Sequence, residues 1–329
     1  MKAHPTSDDN SSGKKFRLAM LGMIEGNAHP YSWSAIINGY DPAAMKRAIG
    51  TRYPIIPEYL ERQPREAVGI PGARVTHVWT DDPAEAPQIA AAANIPHVLS
   101  SPEDAIGDID AAIIATDDGN DHVERARPFV EAGLPVFVDK PLATNIPDLR
   151  RFVEWERAGS PVLSSSGLRY SPELAVLQQA LPSLGEPRWV TGTTVKTWER
   201  YGIHALEPVF TLPGPGFADV TNTESHGTNI VTLRHKNGFQ ATIAVLPGAP
   251  GSSGTLHAYG TKGTRSVKLA DTFTAFRNQM LAFIDRIRTG QAPFPFPETV
   301  ELMLILIAGL HSRERGGQPV ALEELYKEL

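Results

Sequence analysis

Leu134-Pro135-Val136-Phe137-Val138-Asp139-Lys140-Pro141 is the stretch on which the reading of this chain turns. Val136, Phe137 and Val138 are β-branched or aromatic and follow a Gly133 to Pro135 break, so they predict a short buried strand. A lysine stands at its end. In an open α/β sheet ligands bind at the carboxyl ends of the strands, and Pro141 biases Lys140 towards extended backbone, which would hold the amine at that edge. The same residues taken alone also fit a surface lysine before a proline turn. The flanking sequence decides between the two.

Working back towards the start, residues 16–21 (Phe-Arg-Leu-Ala-Met-Leu) predict a strand that runs into Gly22 and Gly26, followed by a helix over 31–38. Strand, glycine turn and helix in that order make a first dinucleotide-binding unit, whose backbone amides and helix N-terminus receive a pyrophosphate. The fingerprint departs from G-x-G-x-x-G, with Ile24 at the second glycine and Asn27 at the third, and a plain strand-to-helix turn is an equally good reading of it. Residues 41–73 are rich in Pro, Tyr and Arg, show little periodicity, and are expected to be an insertion beside the cofactor cleft. Residues 75–80 alternate into Asp81 and Asp82. An acidic residue at the end of the second strand accepts hydrogen bonds from an adenosine ribose and repels a 2′-phosphate, although Asp81 also fits as a cap on the helix predicted over 84–94. Residues 109–116 are a buried strand that ends in a polar loop, 117–122, before a helix over 123–132. Strands alternating with helices over this length predict a doubly wound parallel sheet whose fifth strand ends at Lys140.

After Asn145 the pattern changes. An amphipathic helix over 146–157 is followed by strands over 162–169, 187–197, 218–225, 229–235, 239–246 and 254–260. Helices over 171–182, 272–288 and 297–312 are expected on or beside this mostly antiparallel sheet. Lys236-Asn237-Gly238 predicts a type I′ hairpin turn, and Gly260-Thr261-Lys262-Gly263 a second turn of the same kind. The fold class is thus α/β: a Rossmann parallel sheet at the N-terminus, then an α/β domain with a large, open, mostly antiparallel sheet. The boundaries are a disordered tail over 1–15, a dinucleotide-binding domain over 16–145 containing the 41–73 insertion, and a substrate-binding and oligomerisation domain over 146–329.

With 329 residues, 41% hydrophobic and 21% charged, the chain can bury a substantial core. Its net charge of -6 argues against nucleic acid or an anionic membrane as partner. No apolar run nears the roughly 18 residues of a membrane span. The polar first fifteen residues lack an apolar secretion-signal core, which leaves the cytoplasm as the default compartment. Cysteine is absent, so disulfides, thiolate metal sites and a cysteine nucleophile are excluded. The ten histidines have no H-E-x-x-H spacing, and no metal is expected.

One further stretch carries chemistry: Trp198-Glu199-Arg200-Tyr201-Gly202-Ile203-His204-Ala205-Leu206-Glu207. A helix here presents Tyr201, His204 and Glu207 on neighbouring turns. Imidazole titrates near neutrality and exchanges protons best with an orienting partner, and this histidine has both neighbours at helical spacing.

Here the chain resembles a family. Asp139-Lys140-Pro141 resembles the E-K-P motif of the glucose–fructose oxidoreductase and inositol dehydrogenase (Gfo/Idh/MocA) family, and Tyr201-Gly202-Ile203-His204 resembles its D-x-G-x-H-x-x-D signature. The resemblance extends over about residues 16–325, with Ala115-Thr116 before His122, Ser171-Pro172 after Arg169, and Ser312-Arg313 before Gly316-Gly317. It implies an NAD (or NADP) oxidoreductase that moves a hydride between nicotinamide and a secondary alcohol or ketone of a sugar, polyol or cyclitol. Lys140 and His204 would be catalytic, with Tyr201 beside them. Gly22, Ile24, Gly26, Asn27, Asp81, Thr116, Asn120, His122, Asp139 and Lys140 would face the cofactor. Lys140, Arg169, Trp198, Arg200, Tyr201, His204 and Glu207 would face the substrate, Trp198 and Tyr201 by stacking. Asp139 replaces the usual glutamate, Arg200 replaces the first aspartate, and one extra residue precedes His122, leaving Gly119 or Asn120 in the asparagine's place. The family pairs through its open sheet, which implies a homodimer or tetramer. A nucleotide- or sugar-binding sensor without turnover is the alternative reading.

Overall fold

A computed structural model describes residues 15–249 and 251–329. The expected tail over 1–15 therefore lies, apart from Lys15, outside the described residues.

The first half is built from β1 (Phe16–Leu21), α1 (His29–Asn38), α2 (Pro42–Ile49), α3 (Ile55–Glu61), β2 (Ala73–Trp79), α4 (Glu85–Ala93), β3 (His97–Val98), β4 (Ala111–Ile114), α5 (His122–Glu131) and β5 (Val136–Val138). α6 (Ile146–Arg157) and β6 (Val162–Leu163) complete it, and the six strands form one sheet in the order β3-β2-β1-β4-β5-β6. Neighbouring strands are parallel. Every residue of β4 and β5 is buried, as expected of parallel strands covered on both faces. The order reverses between β1 and β4, the switch point where such sheets bind ligands. Leu21 is level with Ile114, and Ile114 with Val138. Gly22, Ala115 and Asp139 consequently emerge side by side at the carboxyl edge.

The 41–73 segment is more regular than its composition suggests. Asp41 caps α2 by accepting from the N–H groups of Ala43 and Ala44 (2.8 and 2.9 Å), with Pro42 in the first turn. The segment lies against α1: the Gly26 N–H donates to the Tyr53 hydroxyl (3.2 Å), and the Tyr59 hydroxyl pairs with Ser32.

The second half comprises α7 (Pro172–Ala180), β7 (Pro187–Thr194), α8 (Trp198–Phe210), β8 (Phe217–Ser225), β9 (Thr228–His235), β10 (Gln240–Val245), β11 (Thr255–Gly260), β12 (Gly263–Lys268), α9 (Thr272–Thr289), α10 (Phe296–Glu314), β13 (Val320–Ala321) and α11 (Leu322–Tyr326). Its seven strands run in the order β12-β11-β7-β10-β9-β8-β13 and are antiparallel except for β7 with β10. One face buries Val190, Leu233, Ala241, Ile243 and Leu256 against α8 and α10, and the central turns of α10 are apolar all round. The other face is open.

Three expectations are corrected. The strand predicted over 162–169 is only Val162–Leu163, and it extends the first sheet by pairing with β5. Ser166 then accepts from Leu168 N (3.2 Å) and starts a 3-10 turn that ends the strand. The helix predicted over 272–288 does not lie on the second sheet. Its apolar side (Phe273, Met280, Phe283, Ile284) joins α1 and β1 in the core of the first half, with Phe283 against Phe137 at 5.6 Å. Neither hairpin is type I′: at 236–238 Gly238 has positive φ (89°) but Asn237 does not, and at 260–263 neither Thr261 nor Lys262 has it. The Gly238 N–H donates to His235 O (2.9 Å), giving a type I turn closed by a left-handed glycine.

Candidate active site

The carboxyl edge of the first sheet and the start of α8 face each other, and the conspicuous sequence residues meet between them. Lys140 emerges from β5 almost fully buried (2% exposed). Its Nζ lies 3.3 Å from Asp117 Oδ2 and 4.9 Å from the centroid of the Tyr201 ring. The peptide bond to Pro141 is cis. Asp117, 1% exposed at the end of the β4 run, also pairs with Arg200 of α8. Burial alone would raise the Asp117 carboxyl, but Lys140 and Arg200 overcome it and hold the group below its ordinary value.

Tyr201 and His204 sit one turn apart on α8, their rings 4.9 Å apart and edge to face. His204 Nδ1 is 2.8 Å from Ser166 Oγ. Burial, reinforced by Lys140, His29 and Lys196, lowers the imidazole well below its ordinary value, so it is neutral near pH 7. A neutral imidazole can take a proton from an alcohol. Burial, with Asp117 and Asp139, raises the Tyr201 phenol, so Tyr201 keeps its proton as a donor.

Asp139 is fully buried and accepts from its own neighbour Lys140 N (2.7 Å) and from Asn27 Nδ2 (3.1 Å), with His29 Nδ1 at 2.5 Å. Asn27 also donates to Ala115 O (3.1 Å). This ties the glycine turn to the ends of β4 and β5, placing Asn27 and Asp139 beneath the cleft. Gly22 has φ of 87°, and a Cβ there would come within 2.8 Å of Thr116 Cγ2. Gly26 also has positive φ (82°). Both positions need glycine; the Gly22 N–H donates to Trp79 O (2.9 Å) and the Gly26 N–H to the Tyr53 hydroxyl. Ile24 occupies the second glycine's place, half-buried, its carbonyl accepting from Asn27 N at 3.1 Å.

Other predicted residues lie around this centre. Asp81 accepts from Met23 N (3.0 Å) and from Arg125 Nη2 (2.7 Å), so its carboxylate is already compensated. It does not cap α4, which has no side-chain cap; Asp82 closes the turn before it, accepting from Ala84 N at 2.9 Å. Thr116 donates to Asp121 Oδ1 (3.0 Å). The buried His122 ring spans Thr116 O and Leu142 O (2.9 and 3.2 Å), which makes it a brace of the loop. Asn120 accepts from Thr144 Oγ1 (2.8 Å), while Gly119 packs against Pro141 and Thr144 so closely that a Cβ would not fit.

Three residues expected to meet substrate are placed elsewhere. Trp198 is fully buried, packs on Gly202 and Gly309, and donates its indole N–H to Leu306 O (2.9 Å), so it cannot stack on a sugar. Arg169 pairs with Glu207 (3.2 Å) and Glu298 and lies 3.7 Å over the Phe294 ring, outside the cleft. Glu207 is buried behind His204, accepting from Ser166 N (2.5 Å) and Arg169. Burial raises its carboxyl, with Arg169 opposing. Its position fixes the backbone at Ser166, whose hydroxyl meets His204.

Sequence reasoning missed Asp117, His29, Ser166 and Lys196. Lys196, in the left-handed region at φ 61°, donates to Gly26 O (3.1 Å) and to the Tyr201 hydroxyl (2.5 Å). Asp117 alone was signalled, as the first acid after the fourth strand.

Residues 49–165 match the family described as "Oxidoreductase family, NAD-binding Rossmann fold", Gfo/Idh/MocA. Over that stretch the chain is similar to the Gfo/Idh/MocA family. Inositol 2-dehydrogenase 1 of Saccharopolyspora erythraea is 36% identical over 126 residues, 36% of this chain and 37% of that protein. Inositol 2-dehydrogenase of Rhodococcus erythropolis is 36% identical over 124 residues, 36% of each. The matched segment thus spans little more than a third of these relatives. Over the whole fold, scyllo-inositol dehydrogenase of Lactobacillus casei, solved with NAD(H) and scyllo-inositol, gives a TM-score of 0.74 at 14% identity, covering 94% of this chain and 100% of that one. The myo-inositol 2-dehydrogenase of Lactobacillus plantarum gives 0.73 at 14%, covering 94% and 99%. At such identity the likeness establishes the fold alone, and it does so over both halves. Among the described residues no helix is long and apolar enough to cross a membrane.

Proposed function

We propose that this protein is an NAD-dependent dehydrogenase acting on a secondary alcohol of a ring-shaped polyol or sugar derivative, with residues 16–145 as the cofactor half and 146–329 as the substrate half. The observation that carries the reading is the convergence of Lys140, Tyr201 and His204 at the switch point, above the Gly22 to Asn27 turn. The nicotinamide would supply the hydride acceptor, and the Gly22 to Asn27 turn, Asp81 and the Thr116 loop would hold its dinucleotide. Lys140 donates to the reacting oxygen and favours the alkoxide-like charge that develops there. Neutral His204, oriented by Ser166 Oγ, takes the hydroxyl proton. Tyr201 donates a second hydrogen bond from the same side.

The test is turnover of a cyclitol and sugar panel followed by nicotinamide absorbance, with Lys140→Met and His204→Ala as variants. Each single loss is expected to lower turnover by about 10² to 10⁴, and the double variant to cost far less than the product of the two. Cofactor binding with no turnover on any alcohol refutes the enzyme reading and favours a sensor.

The open face of the second sheet supports a homo-oligomer. Trp189 and Tyr259 stack there at 5.3 Å while 41% and 37% exposed, and Ile230 (42%) lies on the same face. Trp189→Glu is expected to lower the molecular mass seen by sedimentation. An unchanged mass places the interface elsewhere.

A further inference from the structure

The cavity that opens from Tyr201 and His204 measures about 310 Å³. Ile55, Ile56, Tyr59, Leu168, Ala275 and Phe276 also line it, and among its described lining residues there is no Asp, Glu, Lys or Arg, the polar ones being amide, imidazole and hydroxyl groups. Phe276 packs edge-on to His29 (5.2 Å) and Trp33 (6.0 Å). Ile55 is the most exposed large hydrophobic residue in the described chain, 62% accessible at the rim of this same cavity.

A polyhydroxylated ring needs a partner for each hydroxyl it desolvates, and carboxylates serve best because they accept two bonds at once. The nearby carboxylates are already engaged. Asp117 is held by Lys140 and Arg200, Asp139 by Asn27 and His29, and Glu207 by Ser166 N and Arg169. Arg200 moreover stands where the resembling motif has an aspartate. The aliphatic and aromatic part of the lining therefore offers area to apolar atoms, and no carboxylate of the described lining is there to take a pair of hydroxyls.

We propose that the substrate carries an apolar substituent, an aryl or bulky alkyl group attached to the ring that bears the reacting alcohol. This rests on the dehydrogenase reading. The ring is oxidised at the Lys140 and His204 end, and the substituent lies against Phe276 and Ile55.

The experiment compares kcat/KM for myo-inositol, methyl β-glucoside and phenyl β-glucoside with NAD, for the full chain and for Ile55→Ser and Phe276→Ala. Ile55 is largely exposed, so its serine variant is expected to fold. The phenyl glucoside is expected to exceed both others by about tenfold or more, a difference of about 1.4 kcal/mol, and either variant to narrow that ratio. Equal or better turnover of myo-inositol and the methyl glucoside overturns the inference and leaves the dehydrogenase reading standing. If nothing turns over, the dehydrogenase reading falls, and calorimetric binding of the two glucosides with NAD present decides the inference on its own. A phenyl glucoside bound no more tightly than the methyl one then overturns it as well.

Discussion

Replacing Asp117 by asparagine isolates the electrostatic link beneath the site. The substitution keeps the side chain's shape and opens no cavity, but it leaves the Lys140 ammonium, 2% exposed, without the charge now 3.3 Å away. Breaking a buried pair by removing one partner costs about 3 to 5 kcal/mol. The Arg200 side chain is 35% exposed and can turn to solvent, so its share should be below about 1 kcal/mol. The expected loss is therefore about 3 kcal/mol, a large fraction of the roughly 5 to 15 kcal/mol that holds a domain together. Urea unfolding read by tryptophan fluorescence measures it. The double variant Asp117→Asn with Lys140→Met removes the orphaned charge and should recover part of the loss. Asp117 has a depressed folded pKa, so its contribution is fully present above the unfolded carboxylate value and is lost as pH falls through the folded one. The gap between wild type and the single variant should hold steady from about pH 7 to 5 and shrink below about 3.9. A gap under about 1 kcal/mol at neutral pH, or a double variant no more stable than the single, refutes the argument.

Three further outcomes are expected. Because the His204 imidazole is lowered, the acid limb of kcat/KM for alcohol oxidation should fall well below pH 6.5; a limb at or above 6.5 assigns the proton to another group. Asp81→Ser frees Arg125, now 2.7 Å from that carboxylate, and should move the NADP over NAD affinity ratio by about tenfold or more in favour of NADP; an unchanged ratio places the adenosine ribose elsewhere. Dinucleotide phosphates compete with Tyr53 for the Gly26 N–H, so adding NAD should alter hydrogen exchange across residues 49–62, and unchanged exchange at saturation removes that segment from the cleft.

The parts of this fold legible in the sequence are those where one physical signal dominates. The runs ending at Leu21, Ile114 and Val138 are apolar on both faces, which only a covered parallel strand demands, and they align at one edge. β12, by contrast, is Gly-Thr-Arg-Ser-Val-Lys on the sheet's rim, mostly exposed, with too little alternation to announce itself. α2 was hidden because Pro42 read as irregular, although an aspartate followed by proline is how a helix begins. Within α8 the difficulty was phase. Trp198, Gly202 and Leu206 recur every four residues on the face turned to α10, whereas Tyr201 and His204 share the cleft face. The motif's spacing showed that a helix was present; only the packing partner determined which of its aromatic residues meets the site. Lys196 had no signal, because its reach depends on a left-handed backbone at a non-glycine position.

Arg200 shows how a departure from a motif can conserve its physics. Where the resembling signature has an acid on α8, this chain has a guanidinium, and the guanidinium meets Asp117 from the end of β4. A carboxylate beside Lys140 is thus supplied from the first half of the molecule. The consequence is mechanical as well as electrostatic. Arg200 also donates to Glu25 O (3.4 Å) and Lys196 to Gly26 O (3.1 Å), so two cations of the second half hold consecutive carbonyls of the glycine turn. The turn's carbonyls are engaged from above while its Met23 and Gly26 amides are engaged from within by Asp81 and Tyr53. A dinucleotide entering this turn must replace the Tyr53 contact, yet it can leave the Arg200 and Lys196 contacts in place, because phosphates take N–H groups and not carbonyls. Cofactor binding and the closed arrangement of the two halves are then compatible, and the groups that hold the halves together are the same ones that place positive charge over the cleft.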